Sequence, residues 1–532
     1  MVNQSRYLRP MNESIAIDPG AQPAADVARG IPDAVASRRE NRLAAAALVA
    51  LIALAIGLRL VPILVTPSIN WGDEIFQMTE QAHRLVFGYG LVPWEFQLGI
   101  RSWLLPGFVA GLMELARVLG RGPDVYLPVI AVTFAAIGAV PVFCCFQWCR
   151  RQFGLAGALV GGATVAMAPE LVYFGARTLS EVVAAHLLVL AWYVVEPGYL
   201  VKSRRRIAAA GALLALICLL RVQLAPTVAV IALWSVWGAW RGRFVPMLIG
   251  GLLLLLLGAL FDMATLGSPL ASIWRYVLYN AGYGVSSGFG TEPWYYYLLG
   301  ELGVWGSAAI LLIVVVGVGA RQMPCLFVAA LTTIAVHSAI AHKEYRFIYP
   351  AVLLLMVLAG LGLANLAQMG AQWLRRQGLR RGAVLAATVV ALALWGGVSA
   401  KVWSGPAMTV LRFRLHDDLA ATHYVRGLPA LCGVGLYGQN AWVRYGGYTY
   451  LDRAVPMYWP SEEAALTQSA AAFDALIYDS TERAPPPAQL GFKVARCFGS
   501  ICVARRPGGC AARPMSPLPF PAALQRFQPA PQ

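Results

Sequence analysis

Three carboxylates stand where a long apolar run ends: residues 70–80 read NWGDEIFQMTE, with Asp73, Glu74 and Glu80. On a regular helix, Asp73, Gln77 and Glu80 fall on one face at i, i+4 and i+7. Asp73 belongs at the helix start, where the helix dipole favours an ionised carboxylate. Such a group is a base, and at a membrane surface it can take the proton of a hydroxyl that attacks an electrophilic carbon. Glu80 and Arg84 also have i, i+4 spacing, which makes a purely structural ion pair the plainer reading. A second stretch, HKEYRFIYP at 342–350, sets His342, Lys343 and Arg346 around Glu344. Cations at a membrane interface can hold a lipid phosphate. The bland alternative is a positive loop flanking two apolar segments.

These residues need elements to position them, and composition says of what kind. The chain has 532 residues, 58% hydrophobic and only 13% charged. Several apolar runs approach or exceed the roughly 20 residues that a helix needs to cross a bilayer. The class is therefore an all-α polytopic membrane protein. A net charge of +16 invites a nucleic-acid reading. The arginines argue against it, because they cluster in short loops between apolar runs, as the positive-inside rule requires, and form no continuous basic face. No nucleic-acid partner is expected; membrane lipids are. Residues 1–42 are polar, rich in Pro, Ala and Arg, and lack a signal-peptide pattern, which predicts a disordered cytosolic tail.

Hydropathy places spans at 43–66, 124–147, 154–173, 181–198, 207–225, 226–239, 244–261, 298–318, 324–341, 347–368 and 382–402. The segment 103–119 is short and carries Glu114 and Arg117. If it crosses, the basic loops at 150–151, 202–206, 241–243 and 375–381 fall outside; if it does not, all four fall inside. The charge bias selects the second case, with about eleven spans, the N-terminus inside, and 103–119 an interfacial or re-entrant helix on the outer face. Residues 43–403 thus form the membrane domain. Residues 404–510 read as a small extracytoplasmic α/β domain, with ALIYDS (475–480) and SICVARR (500–506) as strands, followed by a disordered end at 511–532. Cys432, Cys497, Cys502 and Cys510 lie in this part and predict one or two disulfides, with the pairing open. No His/Cys spacing calls for a metal, and no cofactor is expected.

Under this topology the unusual polar residues gather on one side. They include Arg101, Arg177, Glu181, Arg221 and Asp262, besides the two stretches above and GTEPWYYY at 290–297 with Glu292 and Trp294. Ionisable groups at membrane depth are functional candidates by default, although any one of them could be a structural pair. WYYY could equally be an interfacial aromatic belt.

The order of these motifs resembles a known family. DEIFQ (73–77), AHRLVFGYGLVPWEF (82–96) and GIRSWLLPG (99–107) resemble the first luminal loop of the Alg9-like mannosyltransferases, GT-C glycosyltransferases of N-glycan and GPI-anchor assembly. HKEYRFIYP is similar to the family's HKE-x-RF-[IL]-x-P signature, and GTEPWYYY to its G-T-x-P-W-x-x-Y segment. RVQLAP (221–226) and the Asp262 position are also similar. The likeness covers about 60–410 and is nearest to the GPI third-mannose enzymes. Trp71-Gly72 replaces the family's usual His-Pro, and Glu292 stands where His is common.

The resemblance implies a GT-C fold, a polyprenyl-phosphate-mannose donor and a glycolipid or lipid-linked glycan acceptor. Asp73 would be the general base, with Glu74 assisting or orienting. His342, Lys343 and Arg346 would meet the donor phosphate without a metal. Gln77, Glu80, Arg101, Arg177, Arg221, Asp262, Glu292, Trp294 and Glu344 would be further substrate contacts. Two alternatives stay open: another polyprenyl-phosphate sugar (glucose, galactose or arabinose), and a non-enzymatic lipid-sugar transporter. High Ala, Gly and Arg content and the absence of a C-terminal retention signal predict a bacterial plasma membrane, with the site on its extracytoplasmic face.

Overall fold

The computed structural model describes residues 27–196, 203–237, 240–482 and 487–528. Two compact units divide at Val49. The first holds the N-terminal part of helix α1 (Val27–Leu60), so a helix already runs through 27–42, where a disordered tail was expected. Residues 1–26 of that expected tail lie outside the described residues.

The second unit, from Ala50 on, contains everything else. After α1 come α2 (Glu80–Phe87), α3 (Leu104–Ala116), α4 (Pro123–Gly138), α5 (Val140–Met167), α6 (Ser180–Val195), α7 (Arg204–Leu220) and α8 (Ala225–Val236). These are followed by α9 (Trp240–Leu266), α10 (Ala271–Val277), α11 (Tyr296–Trp305), α12 (Ala309–Ala320), α13 (Pro324–Ala339), α14 (Tyr349–Arg376) and α15 (Ala383–Trp403). A helix stands over each hydropathy span, and six helical segments are long and apolar enough to cross a membrane. Gly154, with φ 69° and ψ −164°, breaks α5 where Arg150 and Arg151 mark a turn between two expected spans.

Helices in lipid gain little from hydrophobic attraction and associate by close packing of small residues. Gly211 on α7 faces the backbone of Met247 on α9, and Gly250 on α9 faces that of Ala208, so neither position has room for a Cβ. The same device joins α12 and α14 through Gly319 and Gly362. α14 is buried from Tyr349 to Ala364 apart from Leu355, whereas Leu252, Leu253, Leu256 and Leu257 of α9 stay exposed as a lipid-facing row. The short α3 packs Leu105, Val109 and Met113 against Met78, Tyr126 and Phe134, holding α2 to α4.

The C-terminal part has a helix α16 (His416–Arg426) and five strands: β1 (Val434–Leu436), β2 (Met457–Tyr458), β3 (Ala475–Asp479), β4 (Lys493–Phe498) and β5 (Ile501–Arg505). The sheet order is β2-β1-β3-β5-β4. β1 is parallel to β2 and β3, and β5 is antiparallel to β3 and β4. Cys432 pairs with Cys510 and Cys497 with Cys502. Leu419, Val425, Leu436 and Ile477 share one apolar core with Ile75, Phe76 and Leu91, so this part is continuous with the chain just after Asp73. Within the expected disordered end, a short segment around Leu524 is anchored. Leu524 is fully buried with Trp94, Ile100 and Val285, and Phe520 and Phe527 flank it.

Candidate active site

Asp73 and Glu74 open a helix, which then widens into a five-residue π turn over Ile75–Thr79 before α2. The π turn rotates the register, so the expected i, i+4, i+7 face does not form. Asp73, Gln77 and Glu80 take different partners instead.

Asp73 meets Arg346. Arg346 follows Glu344 on the short turn before α14, and its guanidinium serves three carboxylates: Nη2 donates to Asp73 at 2.5 Å, Nη1 to Glu181 at 2.7 Å and Nε to Glu344 at 2.5 Å. Glu181, in the first turn of α6, also faces Arg221 at 3.6 Å. Burial alone pushes the Asp73 carboxyl up, but the charges of Arg346 and then Arg101 and Arg221 hold it below the usual range. Asp73 therefore stands ionised at the centre of the cluster.

Glu74 points the other way. It accepts from Arg177 Nη1 at 2.7 Å, and Arg177 also bonds Ser68 and stacks on Tyr173. Burial outweighs this partner and pushes the Glu74 carboxyl up. Two adjacent carboxyls are thus pushed in opposite directions, Asp73 toward its ionised form and Glu74 toward its neutral one.

Glu95 adds a third carboxyl to this region. It accepts from Gln77 at 2.9 Å. Burial and the neighbouring Asp73 charge push it up to about 7, against the pull of Arg101 and Gln77. Arg101 is half-buried, stacks on Tyr276 at 5.2 Å, and has no carboxylate in ion-pair reach among the described residues. Arg101 and Arg221 both line a small cavity of about 50 Å³.

The HKE turn is built differently from its sequence reading. His342 Nδ1 faces the Gly290 carbonyl at 3.0 Å and Nε2 the Glu344 carboxylate at 3.3 Å. Two acceptors favour the imidazolium, and the Glu344 bond in particular raises its pKa. Glu344 is pushed up by burial and pulled further down by Arg346 and His342. Lys343, expected at the phosphate, is buried and donates to the carbonyls of Ile340 and Glu292 at 2.5 and 2.8 Å. It clamps the 290–294 loop to the turn, and its charge is spent there. Arg346 is likewise saturated by carboxylates.

Four other expected contacts also turn inward or away. Glu80 is fully buried and accepts from the backbone of Leu91, Tyr448 and Thr449 and from the Thr449 hydroxyl, tying α2 to the C-terminal part. Asp262 accepts from Ser272 N and Oγ at 2.9 and 2.6 Å and caps α10. Glu292 and Trp294 are exposed, and the indole touches only Tyr295 among aromatic neighbours.

Sequence reasoning put Glu181 among the outer polar groups without a role, and missed Glu170. The Glu170 carboxylate accepts from Trp305 Nε1 at 2.8 Å and from the Tyr345 hydroxyl, fixing the turn that carries Arg346. A lone Glu in an apolar stretch was the available signal.

A large cavity of about 870 Å³ is lined by Glu74 and Arg177 but not by Arg101. A cluster of carboxylates and arginines around Asp73, with one cavity lined by Glu74 and Arg177 and another by Arg101 and Arg221, is a candidate membrane-embedded group-transfer site. The backbone agrees with that class. It superimposes on ArnT from Cupriavidus metallidurans bound to undecaprenyl phosphate with a TM-score of 0.54 at 13% identity, over 86% of this chain and 97% of that one. The fold is that of the GT-C glycosyltransferases.

The family follows from sequence. The profile of the Alg9-like mannosyltransferase family matches residues 49–423, and the chain belongs to that family. It is similar to GPI mannosyltransferase 3 of Drosophila melanogaster, 28% identical over 56% of this chain and 53% of that protein. GPI mannosyltransferase 3 of Yarrowia lipolytica is 26% identical over 58% of this chain and 61% of that protein. GPI alpha-1,2-mannosyltransferase 3 of Danio rerio is 26% identical over 55% of each chain. The chain thus spans little more than half the length of these relatives.

Proposed function

We propose that this protein transfers mannose from a polyprenyl-phosphate mannose to a hydroxyl of a lipid-linked glycan, with GPI-type glycolipids as the model acceptor class. The family membership and the relatives' names support the sugar and the acceptor. The fold shared with a protein bound to undecaprenyl phosphate supports the donor type. The observation that carries the reading is Asp73, ionised at a helix start and held by Arg346.

In the reaction, an acceptor hydroxyl oxygen attacks C1 of the sugar while the C1–O bond to phosphate breaks. The hydroxyl proton passes to Asp73, and the bonding pair leaves with the polyprenyl phosphate. In-line attack on a β-linked mannosyl phosphate inverts and gives an α-mannoside. The developing phosphate charge needs cations with unspent donors. Arg101 meets that requirement better than His342, Lys343 or Arg346, which are committed to protein partners. Arg346 acts as a positioning residue for the base. The arginine bias of the loops supports a site on the extracytoplasmic side of the membrane, and the Ala-, Gly- and Arg-rich composition supports a bacterial plasma membrane.

The test uses the purified full chain in lipid nanodiscs, with radiolabelled polyprenyl-phosphate mannose and a total lipid extract as acceptor. Wild type transfers label, and Asp73→Asn loses about 10²–10⁴-fold, the usual range for a general base, with donor affinity retained. Transfer only from a different polyprenyl-phosphate sugar overturns the mannose assignment. Undiminished transfer by Asp73→Asn overturns the base.

A further inference from the structure

The 870 Å³ cavity beside Glu74 has no part in the donor chemistry above, and its size falls within the range of small-molecule sites. Its lower wall is Ile63 and Leu64, just after α1, with Leu127 and Ile130 of α4. Leu64 is itself 43% exposed, so the wall opens sideways at the ends of membrane helices. Its inner end is the Glu74–Arg177 pair, one residue from the base.

The remaining wall comes from the C-terminal part: Leu419, Ala420 and His423 on α16, then Arg426, Arg496 and Phe498. The family profile stops at residue 423, and Arg426, Arg496 and Phe498 lie beyond it. Arg426 is paired with Asp124 at 2.5 Å, and His423 faces the same carboxylate at 3.8 Å. Arg496 differs. It is exposed, lies over the rings of Tyr424 and Phe498 at 5.8 and 4.9 Å, and has no carboxylate in ion-pair reach among the described residues. A guanidinium held flat on aromatic faces, with its donors free, is a phosphate-binding arrangement.

We propose that this cavity is the acceptor site and that its ligand is a glycophospholipid. The hydrocarbon leaves between the end of α1 and α4, the phosphate meets Arg496, and the glycan extends past Ala420 toward Glu74 and the base. This rests on the transfer reaction proposed above, but it concerns binding and can be tested without turnover.

The probe is a radiolabelled mannosylated phosphatidylinositol glycan, set against a phosphate-free analogue with the same glycan on a neutral diacyl tail. Equilibrium binding is measured on donor-free full-length protein in nanodiscs of neutral lipid. Wild type binds the phosphate form at least tenfold more tightly than the neutral form, the 1.4 kcal/mol that a charge-assisted contact supplies. Ala420→Trp fills the cavity and removes binding of both forms. Arg496→Ala, a surface change that leaves the fold alone, abolishes the preference for phosphate while keeping the glycan-dependent part. Equal binding by wild type and Ala420→Trp overturns the site, as does failure of wild type to bind either probe. Tight binding of both forms without preference overturns the phosphate assignment. Free inorganic phosphate at millimolar concentration displacing the lipid identifies Arg496 as a general anion site and also overturns the lipid assignment. If the cavity binds as described but no transfer follows when donor is added, the reaction fails and the site stands.

Discussion

Arg346 Nη2 lies 2.5 Å from Asp73 Oδ2, joining residues 273 apart in sequence. One guanidinium thereby aligns the base, the HKE turn and the start of α6 through Glu181. The pairing keeps Asp73 ionised and aimed, while lowering its proton affinity. A base that must accept a proton only as the C1–O bond forms can work within that limit, because proton transfer accompanies developing charge rather than preceding it.

Removing Arg346 should therefore fail in two ways. Arg346→Ala leaves Asp73, Glu181 and Glu344 facing one another, and an orphaned buried charge of this kind destabilises by about 3–5 kcal/mol. The melting temperature in nanodiscs should fall and transfer should vanish. Arg346→Lys restores a charge but not the three-way fork. It should recover most of the melting temperature and little of the transfer rate. Equal recovery of both would show that charge alone suffices.

Arg101 and Lys343 should separate cleanly. Arg101→Gln removes a cation with no protein carboxylate, so the donor KM should rise about tenfold to a hundredfold, the worth of a charge-assisted contact, with the melting temperature unchanged. Lys343→Met leaves the Ile340 and Glu292 carbonyls without their donor, at roughly 1–3 kcal/mol of stability. Its melting temperature should fall, and its donor KM should move less than that of Arg101→Gln. The opposite ordering returns the phosphate to Lys343.

Much of this was readable before any coordinates. Apolar run lengths located a helix at each expected span, because a bilayer forces a helix to be long and apolar. The clustering of Asp73, Glu74 and HKEYRF at helix ends was readable for the same reason, since charge is costly elsewhere. What was not readable is where each charge points. Glu80 looked available until Tyr448 and Thr449, 368 and 369 residues away, saturated it. The π turn at 75–79 re-aimed Gln77 toward Glu95 in a stretch whose composition is ordinary for an α-helix. Lys343 could not be told from a phosphate ligand, because the carbonyls that hold it carry no side-chain signature. The burial of Leu524 was hidden by the Pro-rich composition around it, which reads as a tail.

Glu95 should give the enzyme a pH signature. Its carboxyl is pushed up to about 7 by burial and by Asp73. Below that pH it is neutral and leaves Arg101 to the donor phosphate; above it, the new negative charge competes for the same guanidinium. Donor KM should rise as pH increases through 7, and Glu95→Gln should remove the rise. The same shift acts on stability. The folded state holds this proton more tightly than the unfolded chain, whose value is near 4.5, so this contribution falls as pH rises from about 4.5 to 7. Glu95→Gln should therefore melt higher than wild type at pH 8 and close to it at pH 4.5. A KM profile that stays flat in wild type removes Glu95 from the donor side.

The end of the chain should matter to a site it does not touch. Beyond the Cys432–Cys510 disulfide, Leu524 is buried among Trp94, Ile100 and Val285. Trp94 precedes Glu95, and Ile100 precedes Arg101, so the apolar plug braces the backbone of both residues proposed to tune the donor phosphate. Leu524→Asp places a charge in that plug and should loosen it without altering any polar contact of the site. The expected result is a several-fold rise in donor KM, blunting of the Glu95 pH dependence, and faster amide exchange over 94–101 and 279–290. Acceptor binding in the 870 Å³ cavity should be unchanged, since none of its walls includes these residues. Loss of acceptor binding together with donor binding would mean instead that Leu524→Asp disrupts the C-terminal part as a whole.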